Sequence, residues 1–332
     1  MINLGIIGTN WITEQFVNAT DETKAFSLTH VYSRTEVKAD KFIEDLQKKN
    51  IAISTDLEKF FSSDDFETVY IASPNGLHFQ QAKMALEHGK NVIVEKPSTS
   101  TVREFTILDD LAHEKGLFLF EAARHIHEPI FKKIQNYVED NYDELSGATF
   151  SYMKYSSRYD DFKAGNLPNI FNPKFSGGAL YDLGVYTVYD AVVLFGQPDS
   201  VKYVAEILSS GIDGSGSLTL KYPKFDVNIL IGKTKNSYTD SEIYFDKKTL
   251  LMDSGGDITH VQLADDNKNI TTIPTVKSEN PMDSEAKEFA RIMTENDQET
   301  YENLLKYARI VNRILEQART SAGLVFGADE DK

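Results

Sequence analysis

The sequence predicts an α/β chain of two domains, an open parallel sheet followed by an α+β domain around a largely antiparallel open sheet. Three observations carry that expectation. A chain of 332 residues has room for roughly two domains at about 150 residues each. Its first third alternates short apolar, β-branched runs with longer stretches of helical spacing, as β-α-β units do. After Glu121 the runs come closer together, separated by a few polar or glycine residues, which suits antiparallel hairpins and not parallel crossovers.

The strand runs of the first part are Ile2 to Ile7, Ser27 to Ser33, Thr68 to Ala72, Asn91 to Glu95 and Leu117 to Phe120. Helices are expected at Val37 to Lys49, Leu77 to His88 and Val102 to Lys115; in the second of these Leu77, Ala82, Ala85 and Leu86 mark an apolar face. Right-handed crossovers then place a ligand crevice at the carboxyl ends of the strands. A helix near Pro129 to Tyr137 opens the second part. Strands follow at Ala148 to Tyr155, Ser200 to Leu208, Ser217 to Tyr222, Val227 to Ile231, Glu242 to Phe245 and Ile270 to Ile273, with helices at Ala179 to Phe195, Asp283 to Glu295 and Tyr301 to Thr320. Gly327 to Lys332 reads as a frayed acidic tail.

Composition excludes several functions. Lys and Arg number 35 against 51 Asp and Glu, a net charge of −16, so a phosphate polymer is repelled and no nucleic-acid partner is expected. The absence of cysteine removes disulfides, thiolate zinc sites, iron–sulfur clusters and thiol nucleophiles. The stretch Met1 to Gly8 has no cationic leader pattern, and no apolar run of about 18 residues stands out. A cytoplasmic protein without a membrane partner is the expectation.

The first strand enters Gly8-Thr9-Asn10-Trp11-Ile12-Thr13 and then a helix, where a dinucleotide fold places its phosphate turn. Gly8 holds the first glycine position, whereas Asn10 and Thr13 stand where small residues normally admit the pyrophosphate and the helix. Asn10 tolerates positive φ and Thr13 adds bulk; an ordinary tight βα turn fits the same residues. The second strand ends without the carboxylate that reads a ribose 2′-hydroxyl. Ser33, Arg34, Thr35 and Lys38 offer hydroxyl and cationic donors suited to a 2′-phosphate, which favours NADP over NAD. A helix-start serine with a solvated arginine is the plainer reading of that stretch.

Further along stand Ser73-Pro74-Asn75-x-x-His78, Gly89-Lys90-x-Val92-x-x-Glu95-Lys96-Pro97 and Gly177-Gly178-Ala179-Leu180-Tyr181-Asp182-Leu183-Gly184-Val185-Tyr186. With the Gly8 turn, these segments make nearly the whole chain resemble the oxidoreductases named for glucose-fructose oxidoreductase, inositol dehydrogenase and the rhizopine catabolism protein, the Gfo/Idh/MocA family. The resemblance implies a Rossmann NAD(P)-binding domain over residues 1–121 and a substrate-binding and oligomerisation domain over 122–332, with nicotinamide and substrate between them. It implies that Gly8, Thr9, Asn10, Trp11, Ile12, Ser33, Arg34, Lys38, Ser73, Pro74, Asn75, His78, Glu95 and Lys96 serve the cofactor, and that Lys96 acts catalytically with Asp182 and Tyr186. Many members carry His where Tyr186 stands; Tyr is similar to the glucose-fructose oxidoreductase and dihydrodiol dehydrogenase branch. The oligomer it implies is a homodimer or homotetramer.

The residues agree with that chemistry. Asp182 and Tyr186 are four apart, so on one helix from Ala179 they share a face. Hydride loss from a carbinol needs the hydroxyl proton removed, a task for Lys96 and Tyr186 with Asp182 orienting substrate or relay. Each of the three also has a structural reading, as a solvated turn, a helix cap and a packed ring. Arg124-His125-Ile126-His127 contains a His-x-His pair that could face a metal from an extended segment, but the remaining ligands are missing and no metal is expected. Arg124, His125 and Arg158 are instead candidates for the substrate cleft, and the polar loop Ser156 to Ser176 for a lid. The sequence thus reads as an NAD(P)-dependent dehydrogenase or reductase of a small polar hydroxyl or carbonyl compound, a sugar, polyol or cyclic diol. The alternative on the same fold is a non-catalytic dinucleotide-binding sensor or regulator.

Overall fold

The computed structural model describes residues 1–276 and 278–329. Its N-terminal part runs β1 (Ile2–Ile7), α1 (Trp11–Thr23), β2 (Phe26–Tyr32), α2 (Glu36–Asp45), β3 (Ala52–Ser54), α3 (Leu57–Phe61), β4 (Thr68–Ile71), α4 (His78–Glu87), β5 (Asn91–Glu95), α5 (Val102–Lys115) and β6 (Leu119–Ala122). All six strands pair in parallel in the order β3-β2-β1-β4-β5-β6. Both faces are covered by helices, so β4 and β5 read as near-continuous apolar runs and Val69, Ile71, Val92, Ile93 and Val94 are fully buried. The strand order reverses between β1 and β4, and that switch point opens a crevice beyond their carboxyl ends. Helix α5 starts with a reciprocal capping box, Thr101 with Glu104, and stops at Gly116 in the left-handed region. The short β3 and α3 escape the sequence reading, since three and five residues show no period.

The second part runs α6 (Pro129–Asp140), β7 (Leu145–Met153), α7 (Tyr159–Lys163), a π-turn at Leu180–Gly184, α8 (Val185–Phe195), β8 (Ser200–Ile207), β9 (Asp213–Lys221), β10 (Asp226–Gly232), β11 (Ser241–Phe245), β12 (Lys248–Met252), β13 (Val261–Asp265) and β14 (Ile270–Ile273). Its eight strands lie in the order β14-β13-β12-β11-β7-β10-β9-β8, antiparallel except where β10 pairs in parallel with β7. Strand β10 alternates, with Val227, Ile229 and Ile231 fully buried and Asp226, Asn228 and Leu230 open. Every residue of α8 is buried. The segment Pro173–Phe195 contains an 18-residue window of mean hydropathy 1.2 and, by length and composition, is apolar enough to span a bilayer; 94% of that window is buried, so its apolar surface goes into the core. The sequence reading misses this run because glycines and polar residues interrupt it.

Two closing helices divide their allegiance. Helix α9 (Asp283–Glu295) packs on α1, and α10 (Gln298–Ser321) follows it. Phe289 of α9 stacks on Phe120 at 4.5 Å, Tyr301 Oη accepts from the Leu119 amide at 3.2 Å, and Asn280 Nδ2 donates to the Gln15 carbonyl at 2.9 Å. Residues 278–306 therefore join residues 1–124 in one compact unit, and the other described residues form the second. The sequence reading assigns 122–332 to one domain, because aromatic partners so distant along the chain leave no local pattern. The expected frayed tail is instead pinned as far as it is described. Arg319, 1% exposed, holds Asp329 with both terminal nitrogens at 2.8 and 2.7 Å and lies over the Phe326 ring. Residues 330–332 lie outside the described residues.

Candidate active site

The phosphate turn is built by close approach. Gly8 has φ +112°, and a Cβ there would stand 2.7 Å from the Ala72 carbonyl. Asn10 does not use positive φ as expected: at φ −111° it is the N-cap of α1. Its Oδ1 accepts from the Ile12 and Thr13 amides at 3.1 and 3.2 Å, and its Nδ2 donates to the Ala72 carbonyl at 2.9 Å, tying the ends of β1 and β4 together. Thr13 is fully buried, so its bulk is accommodated. Thr9, Asn10 and the exposed Trp11 line a cavity of about 340 Å³ with Lys38, Lys41 and Phe42 of α2. At the end of β2, the Ser33 amide donates to the Ser54 carbonyl at 3.1 Å, and Arg34 and Lys38 are exposed.

The next two strand ends are knit to each other. His78, 1% exposed, faces the Ser73 carbonyl at 2.8 Å and the Pro97 carbonyl at 2.9 Å. Burial holds its pKa below the ordinary 6.5, Lys96 acting the same way and the carbonyls opposing. With both ring nitrogens facing backbone, His78 is a clamp between turns, where the sequence reading expects a direct ligand contact. Ser73 Oγ donates to Gln81 Oε1 at 2.7 Å, while Pro74 and Asn75 lead into a short 3-10 turn. Glu95, also expected to meet the cofactor, is 8% exposed and accepts from Tyr70 Oη at 2.6 Å. Burial raises its pKa, offset by Lys96, Tyr70 and Arg124. Beyond the cis Lys96–Pro97 bond, Ser98 donates its hydroxyl and amide to Glu121 at 2.7 and 3.2 Å. Half-buried Lys96 thus projects from a strand end whose two flanks are fixed.

In the second unit the glycine pair is explained by contact. A Cβ on Gly177 would lie 2.4 Å from the Ile170 carbonyl, and one on Gly178 would lie 2.1 Å from Asp213 Oδ1. Asp213 Oδ2 accepts from the Leu180 amide at 2.7 Å and from Tyr203 Oη at 2.6 Å, so a remote carboxylate caps the start of the π-turn. Burial raises the pKa of Asp213 against those donors. Asp182 lies inside the π-turn and Tyr186 in the first turn of α8. The expected single α-helix, and the simple i,i+4 face with it, is replaced by a π-turn that shifts the register between them. Asp182 Oδ2 is ion-paired with Lys233 Nζ, a partner the sequence reading misses because nothing local marks it.

Tyr186 is 9% exposed, edge-on to Tyr152 and 5.0 Å from the His125 ring. His125, 2% exposed, places Nε2 3.1 Å from Asp190 Oδ1 and 3.2 Å from the Tyr186 carbonyl. It buttresses α8 from within, although the sequence reading has it facing substrate. The segment Arg124–His127 is a 3-10 turn and not an extended strand, which removes the alternation argument for a metal-facing His pair. Among the described residues no group of three or more His, Asp or Glu is placed to hold a metal ion. The loop from Ser156 carries exposed Arg158 but is packed on Tyr159, Phe162 and fully buried Phe171, whose rings contact one another. Those aromatic anchors give the loop a core of its own.

Family models described as an oxidoreductase family with an NAD-binding Rossmann fold and as a GFO/IDH/MocA C-terminal domain match residues 2–123 and 151–250. The chain is 38% identical to scyllo-inositol 2-dehydrogenase (NADP(+)) IolU of Bacillus subtilis, over 99% of this chain and 100% of that one. It is 36% identical to the uncharacterized oxidoreductase YgjR of Escherichia coli over 100% of both. KijD10, a 3-ketoreductase from Actinomadura kijaniata solved with NADP and TDP-benzene, shares the fold at TM-score 0.83 and 20% identity, over 96% of this chain and 97% of that one.

Asp190 offers a test of this buried framework. It is 1% exposed and burial raises its pKa well above 3.8, so the stability contributed by its bound proton is fully present below that value and lost as pH rises through the folded-state pKa. A carboxamide in its place cannot titrate. Asp190→Asn should therefore gain on wild type as pH rises from 4.5 to 8 in urea unfolding, by up to about 1.4 kcal/mol per pH unit within the titration window. Parallel profiles would show that Asp190 does not titrate differently on folding.

Proposed function

The chain belongs to the Gfo/Idh/MocA family of NAD(P)-dependent oxidoreductases, and we propose that it is an NADP-preferring dehydrogenase of cyclic polyols or sugars. The observation that carries this reading is Lys96, a half-buried cation at the carboxyl end of β5 between the Glu95–Tyr70 and Ser98–Glu121 contacts. The cradle for the cofactor fits as well. Gly8 leaves room where a Cβ would strike Ala72, the positive end of α1 favours a pyrophosphate, and exposed Arg34 and Lys38 suit a 2′-phosphate. Thr9, Asn10, Trp11 and Ile12 hold the turn, and Ser33, Ser73, Pro74 and Asn75 border the crevice at the strand ends.

Bound NADP supplies the hydride acceptor. Lys96 would polarise the substrate oxygen, the Tyr186 hydroxyl would relay the proton, taking the substrate's as it passes its own on to solvent while the carbinol is oxidised, and Asp182 would orient the reacting hydroxyl. Arg124, at the end of β6, and Arg158, in the loop, are further candidates for substrate contact. Whole-chain likeness to a named dehydrogenase favours this reading over a non-catalytic sensor. The open face of the eight-stranded sheet, where Val204, 63% exposed, and Leu230, 37% exposed, lie in one cross-strand row through Ser217, supports a homodimer or homotetramer.

NADPH should bind more tightly than NADH, and Arg34→Ala should narrow the gap by about 1 to 3 kcal/mol, the worth of a charge-assisted contact; equal affinities in wild type, by nicotinamide fluorescence, would remove the NADP preference. Turnover is read by nicotinamide absorbance with scyllo-inositol and a panel of polyols and sugars. Lys96→Met and Tyr186→Phe should each lower it by about two to four orders of magnitude, while NADPH affinity survives Tyr186→Phe. Full activity in both variants would overturn the assignment. Sedimentation velocity at micromolar concentration should show a dimer or larger, and a Val204→Asp, Leu230→Asp variant should shift it toward monomer; a wild-type monomer refutes the oligomer.

A further inference from the structure

Lys233 follows the last residue of β10, and its backbone is fixed from two sides. Its amide donates to the Gly214 carbonyl at 2.8 Å, and its carbonyl accepts from the Ser156 amide at 2.8 Å, at the start of the polar loop. Its side chain is 5% exposed, against 24% for Asp182. A lysine is almost never so enclosed without a partner. Here the partner is one oxygen of a carboxylate in the π-turn.

The approach of strand to turn explains how they meet. Gly184, at the end of the π-turn, has no Cβ where one would stand 2.8 Å from Ile231 Cδ1 of β10. The strand can therefore lie against the turn, and its continuation brings Lys233 beneath Asp182. Removing one member of such a pair would leave an uncompensated charge in a partly dry environment. The ammonium takes Oδ2 and so fixes how the carboxylate is turned.

We infer that Lys233 is a positioning residue that holds the Asp182 carboxylate in the orientation in which it meets a substrate hydroxyl. This rests on the dehydrogenase reading. The β10 strand, the π-turn and the loop beginning at Ser156 meet at this one side chain and its backbone.

The test is a double-mutant cycle with NADP and scyllo-inositol. Lys233→Met should lower kcat/KM about a hundredfold, the scale of a misplaced reacting group, with NADPH affinity unchanged, and Lys233→Arg should recover part of the loss. In an Asp182→Asn background, Lys233→Met should add less than about threefold, because its effect runs through Asp182. Wild-type kinetics in Lys233→Met, or losses that multiply, would overturn the inference. If Asp182→Asn turns over too slowly to measure, scyllo-inositol binding to the NADPH complex, read by nicotinamide fluorescence, closes the same cycle. A parallel cycle on urea unfolding needs no substrate. Absence of coupling there refutes the ion pair and leaves the dehydrogenase reading standing. Coupling there, with no wild-type turnover of any polyol or sugar, refutes the dehydrogenase reading and the role of Lys233 in it.

Discussion

The carboxylate of Asp213 is the point on which the wall that carries Asp182 and Tyr186 in the second unit depends. It is buried, its Oδ2 accepts from the Leu180 amide and the Tyr203 hydroxyl, and its Oδ1 occupies the space that a side chain at Gly178 would need. The first amides of any helix lack intrahelical partners. Here a residue on a strand more than thirty positions later supplies one, and the chain can enter a π-turn where an α-helix is expected. That turn sets where Asp182 stands relative to Tyr186, and Gly184 lets β10 approach closely enough for Lys233 to pair with Asp182. The shape of this wall rests on that buried acceptor and on the two glycines that let its neighbours close in.

The first unit solves a different problem. A parallel sheet presents its strand ends as separate turns, and a ligand crevice needs them held in one arrangement. Side chains lock each turn to its neighbour: Asn10 to Ala72, His78 to both Ser73 and Pro97, Tyr70 to Glu95, and Ser98 to Glu121. Several of these residues lie in the motifs that carry the family resemblance, yet they point inward. A motif can mark a functional site because it builds the frame as well as because it meets the ligand.

Charge follows the same division between surface and frame. The chain carries a net −16, but its cations at the proposed site are local, with Arg34 and Lys38 exposed at the end of β2, Lys96 half-buried after β5, and Lys233 enclosed after β10. A 2′-phosphate can be met by solvated cations in a screened setting. A cation inside a wall must be neutralised, and Lys233 is.

Legible in the chain itself are the alternation that makes a parallel sheet, the antiparallel character of most of the second sheet, the glycine turn after β1 and the candidacy of Lys96, Asp182 and Tyr186. The first three are local signals, set by periodicity and by residues adjacent in the chain; the last is what the resemblance of the motifs to a family implies. Folding in three dimensions settles that Asn10 caps a helix, that His78 and Glu95 serve the frame, that His125 lies behind Tyr186 against Asp190, and that residues 278–306 return to the first unit. It also pairs Lys233 with Asp182 and Asp213 with the π-turn. Most of these partnerships join residues far apart in sequence, and a buried polar group is satisfied by whatever the fold brings within about 3 Å of it, which no local pattern records.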